Sequence, residues 1–298
     1  ESRNGAATPG SSATAWLAEI EHHDANLDIL AYVRQRDAGF GVGQLSNAGD
    51  GSRKFGVDGK WRLGQHLSLL ASGWQEDYLD RDARRRAARI QGEWRTDSTT
   101  LRLGMTHAED QLASGDINRS TLLQLGITRR LLGNRLELDG QTEFALGGED
   151  ASIDFPARHR IGARFAVTPD VALVGTYEIA SGGHVDAHTA RAGFEVRPWQ
   201  GARISASGNQ QDVAEYGPRT YAAYGLAQSL QLSEHLTIDA TVDGQRTLHG
   251  FDVAQVLDPA HPVASGGFLD GSGTLTEDFI ALTAGAAYQD ARWSLTGR

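Results

Sequence analysis

Histidine and aspartate residues in the connecting segments are the first candidates for chemistry. His184 and His188 lie four positions apart. On a helix this spacing would place two imidazoles on one face, but here the histidines follow the loop sequence Ser-Gly-Gly, so the indication of a metal site is weak. Asp77, Asp80 and Asp82 are too irregularly spaced for a calcium-binding loop. We therefore predict no metal site and no cofactor.

A hydrolase would need a carboxylate and an imidazole close to a nucleophile, and Asp77, His107 and Asp110 are the best candidates. Nothing in their spacing brings them together. The chain has no nucleophile-elbow motif, no phosphate-binding loop and no zinc motif. The Gly-Phe-Gly-Val-Gly sequence at 39–43 lies in a predicted long loop, not between a strand and a helix. We predict that the chain is not an enzyme.

The segment 248–277 contains several carboxylates and two histidines but no lysine or arginine. It could fold inward as a constriction, or it could bind a cation from the medium. Long surface loops commonly have such compositions, so a solvated loop is the preferred interpretation.

Charged residues of both signs recur at alternate positions through most of the chain. Successive side chains of an extended segment leave opposite faces, so residues of one parity share a face. Leu236, Ile238 and Ala240, for example, alternate with Thr237 and Asp239. The charged residues predicted to share one face are Lys54, Asp58, Lys60, Arg62, Arg89, Glu93, Arg95, Arg102, Arg135, Glu137, Asp139, Glu143, Arg160, Arg164, Glu178, Arg191, Glu195, Arg197, Arg203, Asp239 and Asp243.

This alternation predicts about sixteen strands and almost no helix, because no segment keeps an apolar period of 3.6 residues for more than one turn. The pattern weakens at 219–232 and 277–289, where both parities carry apolar or small residues. The predicted strands are 14–23, 27–36, 54–63, 67–78, 86–95, 99–108, 120–131, 135–146, 159–167, 171–180, 188–197, 201–210, 220–232, 236–247, 278–288 and 292–298.

The links between these strands alternate between short and long. The short links are 24–26, 64–66, 96–98, 132–134, 168–170, 198–200, 233–235 and 289–291. The long links are 37–53, 79–86, 109–119, 147–158, 181–187, 211–219 and 248–277. Tight turns on one side and large loops on the other are typical of a transmembrane β-barrel with periplasmic turns and surface loops.

Composition permits this interpretation. The 298 residues include 36 glycines and no cysteine, and the formal net charge is −10. No run of 18 apolar residues exists, which excludes a transmembrane helix but not a barrel, whose strands are only half apolar. The acidic balance argues against a nucleic-acid partner. No signal peptide opens the chain at Glu1.

Aromatic residues fall where the two membrane interfaces of a barrel should lie, since the amphipathic rings of Trp and Tyr favour the headgroup zone. Some of these aromatic residues lie at or near short turns, and others lie about one membrane crossing away from the nearest short turn. The alternative is that they are ordinary buried aromatics of a soluble sheet. The predicted interface aromatics are Trp16, Trp61, Trp74, Tyr78, Trp94, Trp199 and Trp293.

The charged face must then meet water or a polar plug, because a charge on the lipid side costs up to about 2–4 kcal/mol near the midplane. Cross-strand ion pairs that hold the register are the preferred role for these charges. The second role is a field that lines a permeation path, and the two roles can coexist. No single residue stands out as a selectivity element.

The alternating hairpins, aromatic belts and short turns resemble those of bacterial outer-membrane β-barrels as a class, from Thr14 to Arg298. The barrels of TonB-dependent receptors and the C-terminal barrels of large surface proteins are the most similar. No plug domain and no TonB-box-like segment is visible, and no family's functional residues can be transferred. If short turns are periplasmic, strand 14–23 enters from outside and the chain ends at Arg298, which is not aromatic. We therefore expect an incomplete part of a larger barrel, with a sixteen-strand sheet that closes on itself as the alternative.

We predict an all-β, antiparallel, up-and-down transmembrane barrel in the outer membrane of a Gram-negative bacterium. Residues 1–298 form a single domain, with 1–13 as a loop or linker and 14–298 as strands, periplasmic turns and extracellular loops. The porin-like function would be a pore or receptor-type channel for small polar solutes. An anchor for a larger surface protein, with an occluded lumen, is the alternative, and a hydrolase at the barrel rim is less favoured. The expected partners are outer-membrane lipid, small polar solutes and the rest of a larger chain.

Overall fold

The computed structural model describes residues 13–38, 51–152, 155–183, 185–214, 217–250, 278–290 and 293–297. These residues form one antiparallel sheet of sixteen strands, and each strand pairs with its neighbours in the sequence. The strands are β1 (Ala15–His23), β2 (Leu27–Arg36), β3 (Ser52–Arg62), β4 (Leu67–Tyr78), β5 (Arg84–Arg95), β6 (Thr99–Gln111), β7 (Ile117–Leu131), β8 (Leu136–Asp150), β9 (Ala157–Thr168), β10 (Val171–Gly182), β11 (Val185–Val196), β12 (Ala202–Val213), β13 (Gly217–Gln231), β14 (Leu236–Gly250), β15 (Phe279–Gln289) and β16 (Ser294–Gly297).

The architecture is all-β, antiparallel and up-and-down, as predicted. In the described part of the chain β1 pairs only with β2 and β16 only with β15, so the sheet is not closed. This open sheet is consistent with part of a barrel wall and does not show the predicted alternative of sixteen strands closed on themselves. Within the same described ranges, no helix is long and apolar enough to span a bilayer.

The short turns lie where the sequence predicts them, and their residues explain why the chain reverses there. The Asp24 carboxylate accepts hydrogen bonds from the backbone N–H groups of Asn26 and Leu27, each at 2.7 Å. In the turn after β7, Gly133 and Asn134 have φ values of 64° and 69°. Glycine and asparagine adopt this left-handed conformation more readily than other residues, so the sequence favours a tight reversal at this point.

The links on the opposite side are shorter than predicted. The predicted long link 181–187 is reduced to residues 183–184, and 211–219 is reduced to 214–216, because the flanking strands continue further. Polar side chains pair across the extended strands, as where Arg86 Nη2 donates to Glu109 Oε1 at 2.8 Å. Strands of 12 to 15 residues, such as β10 and β13, are longer than the roughly 9–11 residues of a tilted crossing. Of the predicted loop 248–277, residues 251–277 lie outside the described residues.

The packing of the sheet is inverted relative to a soluble domain. The four largest side chains that are fully buried are Arg219, Leu122, Gln211 and Thr106. Three of them are polar. Large apolar side chains such as Ile161, which is 66% exposed, stand on the other face. A soluble sheet would leave much apolar area in contact with water at about 25 cal/mol per Å². The arrangement therefore fits a setting in which the apolar face meets an apolar environment and the polar face meets a polar one.

Candidate functional site: the polar face

The strand register places the predicted charged residues that lie within strands on a single face, which we call the polar face. One row of paired positions illustrates it across the eleven strands β3 to β13. The row runs through Arg62, Ser68, Glu93, Arg102, Gly126, Gln141, Arg160, Glu178, Thr189, Gln211 and Arg219. That this face lines a lumen stays a prediction.

Ion pairs connect neighbouring strands across the polar face. Glu93 bridges two arginines, with Arg95 Nη2 at 2.9 Å and Arg102 Nε at 3.1 Å. Glu195 likewise bridges Arg164 at 3.3 Å and Arg203 at 3.2 Å. The Glu93–Arg102 contact joins the adjacent strands β5 and β6, and the Glu195–Arg203 contact joins β11 and β12, so these two pairs fix the register in the way expected for cross-strand pairs. The Glu93–Arg95 contact lies within β5, and the Glu195–Arg164 contact reaches across β10 to β9.

A buried polar cluster lies toward the β8–β9 link. Arg85 Nε donates to Asp110 Oδ1 at 3.2 Å, and the two side chains are only 8% and 6% exposed. The Ser152 hydroxyl donates to Asp110 Oδ2 at 2.6 Å, and the Ser152 N–H donates to Ser120 Oγ at 3.0 Å. Ser152 belongs to the β8–β9 link, and these contacts place it over the polar face.

A second buried cluster surrounds Arg219, which is 1% exposed. Its Nε and Nη2 groups donate to Thr247 Oγ1 at 3.0 and 2.7 Å, and its guanidinium lies 4.7 Å from the centre of the Tyr221 ring. Asp278 accepts from the Thr247 hydroxyl at 2.7 Å and lies 3.5 Å from Arg219 Nη2. These contacts join the ends of β13 and β14 to the start of β15.

Two of the predicted interface aromatics differ from the expectation. Trp74 and Tyr78 lie on the polar face, opposite Gly56 and Ser52, and Lys54 Nζ lies 4.0 Å from the centre of the Trp74 ring. The indole packs against a cation instead of lipid. Others are exposed on the apolar face or in the short turns, namely Trp16, Trp61, Trp94, Trp199 and Trp293.

Arg135 also differs from the expectation, because it lies in the turn before β8 and not within a strand. Its Nε and Nη2 groups donate to the carbonyl oxygens of Ala166 and Val167 at 3.3 and 3.2 Å. Its guanidinium lies 5.5 Å from the centre of the Phe165 ring, which belongs to the apolar face. Arg197 likewise follows the end of β11.

The register adds charged residues to the polar face that the sequence analysis did not select. Their parity was the available signal, but they lie near strand ends that the pattern did not define, or on strands whose other parity is also polar. They include Glu19, Glu21, Asp28, Arg34, Arg36, Glu76, Arg85, Asp110, Arg130, Asp150, Arg158 and Arg219.

The candidate catalytic residues are not brought together. His107 lies on the apolar face and contacts the Thr121 hydroxyl at 2.9 Å, whereas Asp110 lies on the polar face. Asp77 pairs with Arg84 at 2.6 Å. No group of three or more His, Asp or Glu residues suited to a metal ion occurs in the described ranges. His184 lies outside them.

Two carboxylates at opposite ends of the first hairpin are held by local hydrogen bonds. Backbone N–H donors of Asn26 and Leu27, and then His22, lower the pKa of Asp24 at the short turn. At the other end, the hydroxyl and N–H of Thr14 donate to Asp37 and lower its pKa. Asp24 is exposed and Asp37 is partly exposed, and local hydrogen bonds to their ionised forms stabilise the hairpin at its two ends.

The polar face contains two hollows on distant strands. A cavity of about 410 Å³ on β1 to β5 is lined by His23, Asp28, Asp58, Lys60 and Arg89, together with Leu30 and Leu70. We call the second, of about 380 Å³ on β10 to β15, the small-residue hollow; it is lined by Arg191, Glu195, Ser205, Ser207, Asn209, Tyr221, Ala223, Asp243 and Gln245. Volumes of this size suit small molecules.

No protein-family model matches the chain, and no curated protein matches it. Among solved structures it is similar to a bacterial polysaccharide outer membrane secretin, at 13% identity and a TM-score of 0.49, over 80% of this chain and 84% of that one. It is also similar to the FrpB iron transporter from Neisseria meningitidis, at 12% identity and a TM-score of 0.48, over 93% of this chain and 56% of that one.

A third similar structure is the ferric yersiniabactin uptake receptor FyuA from Yersinia pestis, at 11% identity and a TM-score of 0.44, over 93% of this chain and 63% of that one. The chain thus spans less than two thirds of the length of these two uptake proteins. In fold, the inverted sheet of antiparallel hairpins makes this chain outer-membrane β-barrel-like.

Proposed function

We propose that this chain forms a barrel wall in the bacterial outer membrane and serves as a pore or receptor-type channel for small polar solutes. The observation that carries the proposal is the inverted polarity of the sheet. Buried polar side chains such as Gln211 and Thr106 lie on one face, and exposed apolar side chains such as Ile161 lie on the other. Such a wall needs lipid on one side and a polar interior on the other.

The charges of the polar face support passage of solutes that are small and polar. The ion-paired carboxylates and arginines present both signs, so the interior would offer hydrogen bonds to many solutes without attracting one sign strongly. The rest of a larger chain, including any plug, and outer-membrane lipid are the partners that this function requires.

A second function is an anchor with an occluded interior. The β8–β9 link favours it, because Ser152 turns onto the polar face and bonds Asp110 there. Catalysis has no comparable support, since His107 and Asp110 lie on opposite faces.

Single-channel recording in planar bilayers tests the proposal. We expect the full-length protein that contains this chain to give steady conductance steps in both current directions. A folded, inserted protein that stays silent would support the anchor instead. Ser152→Gly is a matched variant, because it removes the hydroxyl contact to Asp110: if the link narrows an open path, this variant should conduct more than the parent protein.

A further inference from the structure

The small-residue hollow on β10 to β15 occupies the part of the sheet where the sequence alternation is weakest. On β13 the polar face carries Ala223, Gly225 and Ala227 in place of charged residues. These short side chains leave room above the sheet, so the hollow exists because the pattern lapses there. Its volume of about 380 Å³ lies within the range of roughly 300–1,000 Å³ typical of small-molecule sites.

The floor of the hollow is shaped by Gly225, which lies between Ser205 on β12 and Asp243 on β14. A Cβ atom at Gly225 would lie 2.9 Å from both Ser205 Oγ and Asp243 Oδ1. The hydroxyl and the carboxylate therefore approach each other over a position that has no side chain, and both present oxygen atoms to the space above it.

Polar groups of both hydrogen-bonding types surround this floor. Asn209 is 4% exposed, and its Nδ2 lies 3.2 Å from Ser207 Oγ, so this amide is held in a fixed position. Gln245 on β14 lies opposite Ala223 on β13. Hydroxyls and amides at neighbouring strands, which are spaced about 4.8 Å apart, can engage several hydroxyl groups of one ligand.

The charges of the hollow are balanced. Arg191 and Asp243 are exposed on the polar face and have opposite signs. Among the described residues, neither of them forms an ion pair, with no oppositely charged side-chain atom within 4.0 Å. Glu195 is neutralised by Arg164 and Arg203. An ionic solute would therefore meet one attractive and one repulsive charge, whereas a neutral polar solute can use Arg191 as a donor and Asp243 as an acceptor.

Phe279 on β15 adds an apolar surface to the hollow. Tyr221, which is 4% exposed, backs the hollow at one end, with its ring against the Arg219 guanidinium. An aromatic surface beside fixed amides and a carboxylate suits a ligand whose hydroxyls project sideways from a ring with apolar C–H faces.

From these features we infer that the small-residue hollow binds a neutral carbohydrate of one or two sugar units. The inference rests on the proposed function, because it assigns a substrate class to the polar interior of the barrel wall. The hollow on β1 to β5 differs from the small-residue hollow in its lining, which includes the charged residues Asp28, Asp58, Lys60 and Arg89 together with leucines.

The test is saturation-transfer NMR of maltose with the full-length protein, refolded in a detergent that has no sugar headgroup. We expect maltose to bind, and we expect Ala223→Trp, which fills the hollow, to weaken binding by about tenfold or more. Ala222→Trp is the matched control, because the same side chain one position earlier points to the apolar face and should leave binding unchanged. Asp243→Asn should weaken binding about two- to tenfold by removing a charged acceptor.

The maltose experiments test the carbohydrate site separately from the pore. Binding of glucuronate in preference to maltose, absence of maltose binding to a folded protein, or equal losses in Ala222→Trp and Ala223→Trp would each overturn it. If Ala223→Trp does not fold, the Asp243→Asn titration decides, and unchanged maltose affinity there counts against the hollow. Conductance steps from a protein that does not bind maltose would reject the carbohydrate site and leave the pore in place.

Discussion

Arg84 and Arg85 are adjacent in the chain but lie in opposite environments. Arg84 is 53% exposed on the apolar side of the sheet and pairs with Asp77, whereas Arg85 is 8% exposed and pairs with the buried Asp110. The buried carboxylate also accepts the Ser152 hydroxyl. Parity along one strand thus decides whether a charge is solvated at the edge of the sheet or fixed within a network.

We expect Arg85→Gln to destabilise the protein by about 3–5 kcal/mol, because it leaves the Asp110 charge buried without its partner. Arg84→Gln is the control and should cost at most about 1 kcal/mol, as exposed pairs do. Urea unfolding in lipid vesicles, followed by tryptophan fluorescence, measures both. Equal losses in the two variants would mean that Asp110 is not buried as described.

Asp24 gives a prediction for acid conditions. Its pKa is lowered in the folded state by the N–H donors of Asn26 and Leu27, and then by His22. A carboxylate with a depressed folded-state pKa stabilises the protein above its unfolded-state pKa, and this contribution is lost as the pH falls through the folded-state value. We therefore expect Asp24→Ala to be less stable than the parent at neutral pH, and the difference to shrink in acid below the ordinary aspartate range.

Unfolding midpoints of the two proteins, measured from neutral pH down to acid, test this expectation. Asp97→Ala, in another short turn, controls for the general effect of removing a turn carboxylate. A stability difference for Asp24→Ala that grows on acidification would contradict the role of its ionised form.

At the scale of strands, the sequence predicted the ends at the short turns well and the opposite ends poorly. Turn residues such as Asp24 and Gly133 mark the short side locally. On the other side, both parities become polar, as with Arg85 and Arg86 on β5, so alternation no longer shows that the strand continues. The strands extend there because Arg86 and Glu109 pair across them, a contact that only the register reveals.

The same limit explains the differences within the candidate site. Trp74 was assigned to an interface by its residue type, but its parity matches that of Lys54, Glu76 and the rest of the polar face. The small-residue hollow could not be predicted, because alanine and glycine at Ala223 and Gly225 carry no alternation. The positions of most charged residues, by contrast, follow from parity alone.

Strand β14 allows a direct test of which face meets lipid. Val242 lies on the apolar face, and Thr241, opposite Ala227 and Thr283, lies on the polar face. We expect Val242→Arg to cost about 2–4 kcal/mol in a bilayer, since it places a charge toward hydrocarbon. Thr241→Arg should cost clearly less, because small neighbours and polar surroundings accommodate it. Equilibrium unfolding in vesicles measures the loss of stability in both variants. A larger loss for Thr241→Arg than for Val242→Arg would contradict the assignment of the apolar face to lipid.

At the scale of the whole molecule, the sheet has one polar face and one apolar face, as the proposed barrel wall requires. Ion pairs around Glu93 and Glu195 hold neighbouring strands on the inner side, while the outer side presents little besides apolar and aromatic side chains along the middle of the strands. In the proposed barrel wall, the hydrophobic contribution that a soluble domain gains from its core would come from contact with lipid. Stability should accordingly depend on the bilayer as much as on contacts within the chain.

The six tryptophans make this separation measurable, because Trp94 lies on the apolar face and Trp74 on the polar face of the same strand pair. In vesicles with brominated acyl chains, a variant that keeps only Trp94 should be strongly quenched, while one that keeps only Trp74 should be quenched little. Acrylamide in the aqueous phase should give the reverse order if the interior is open to water. Strong lipid quenching of Trp74 would contradict the face assignment, and no lipid quenching of either residue would contradict a membrane location. Weak quenching of Trp74 by both agents would instead indicate an occluded interior, and so would favour the anchor over the pore.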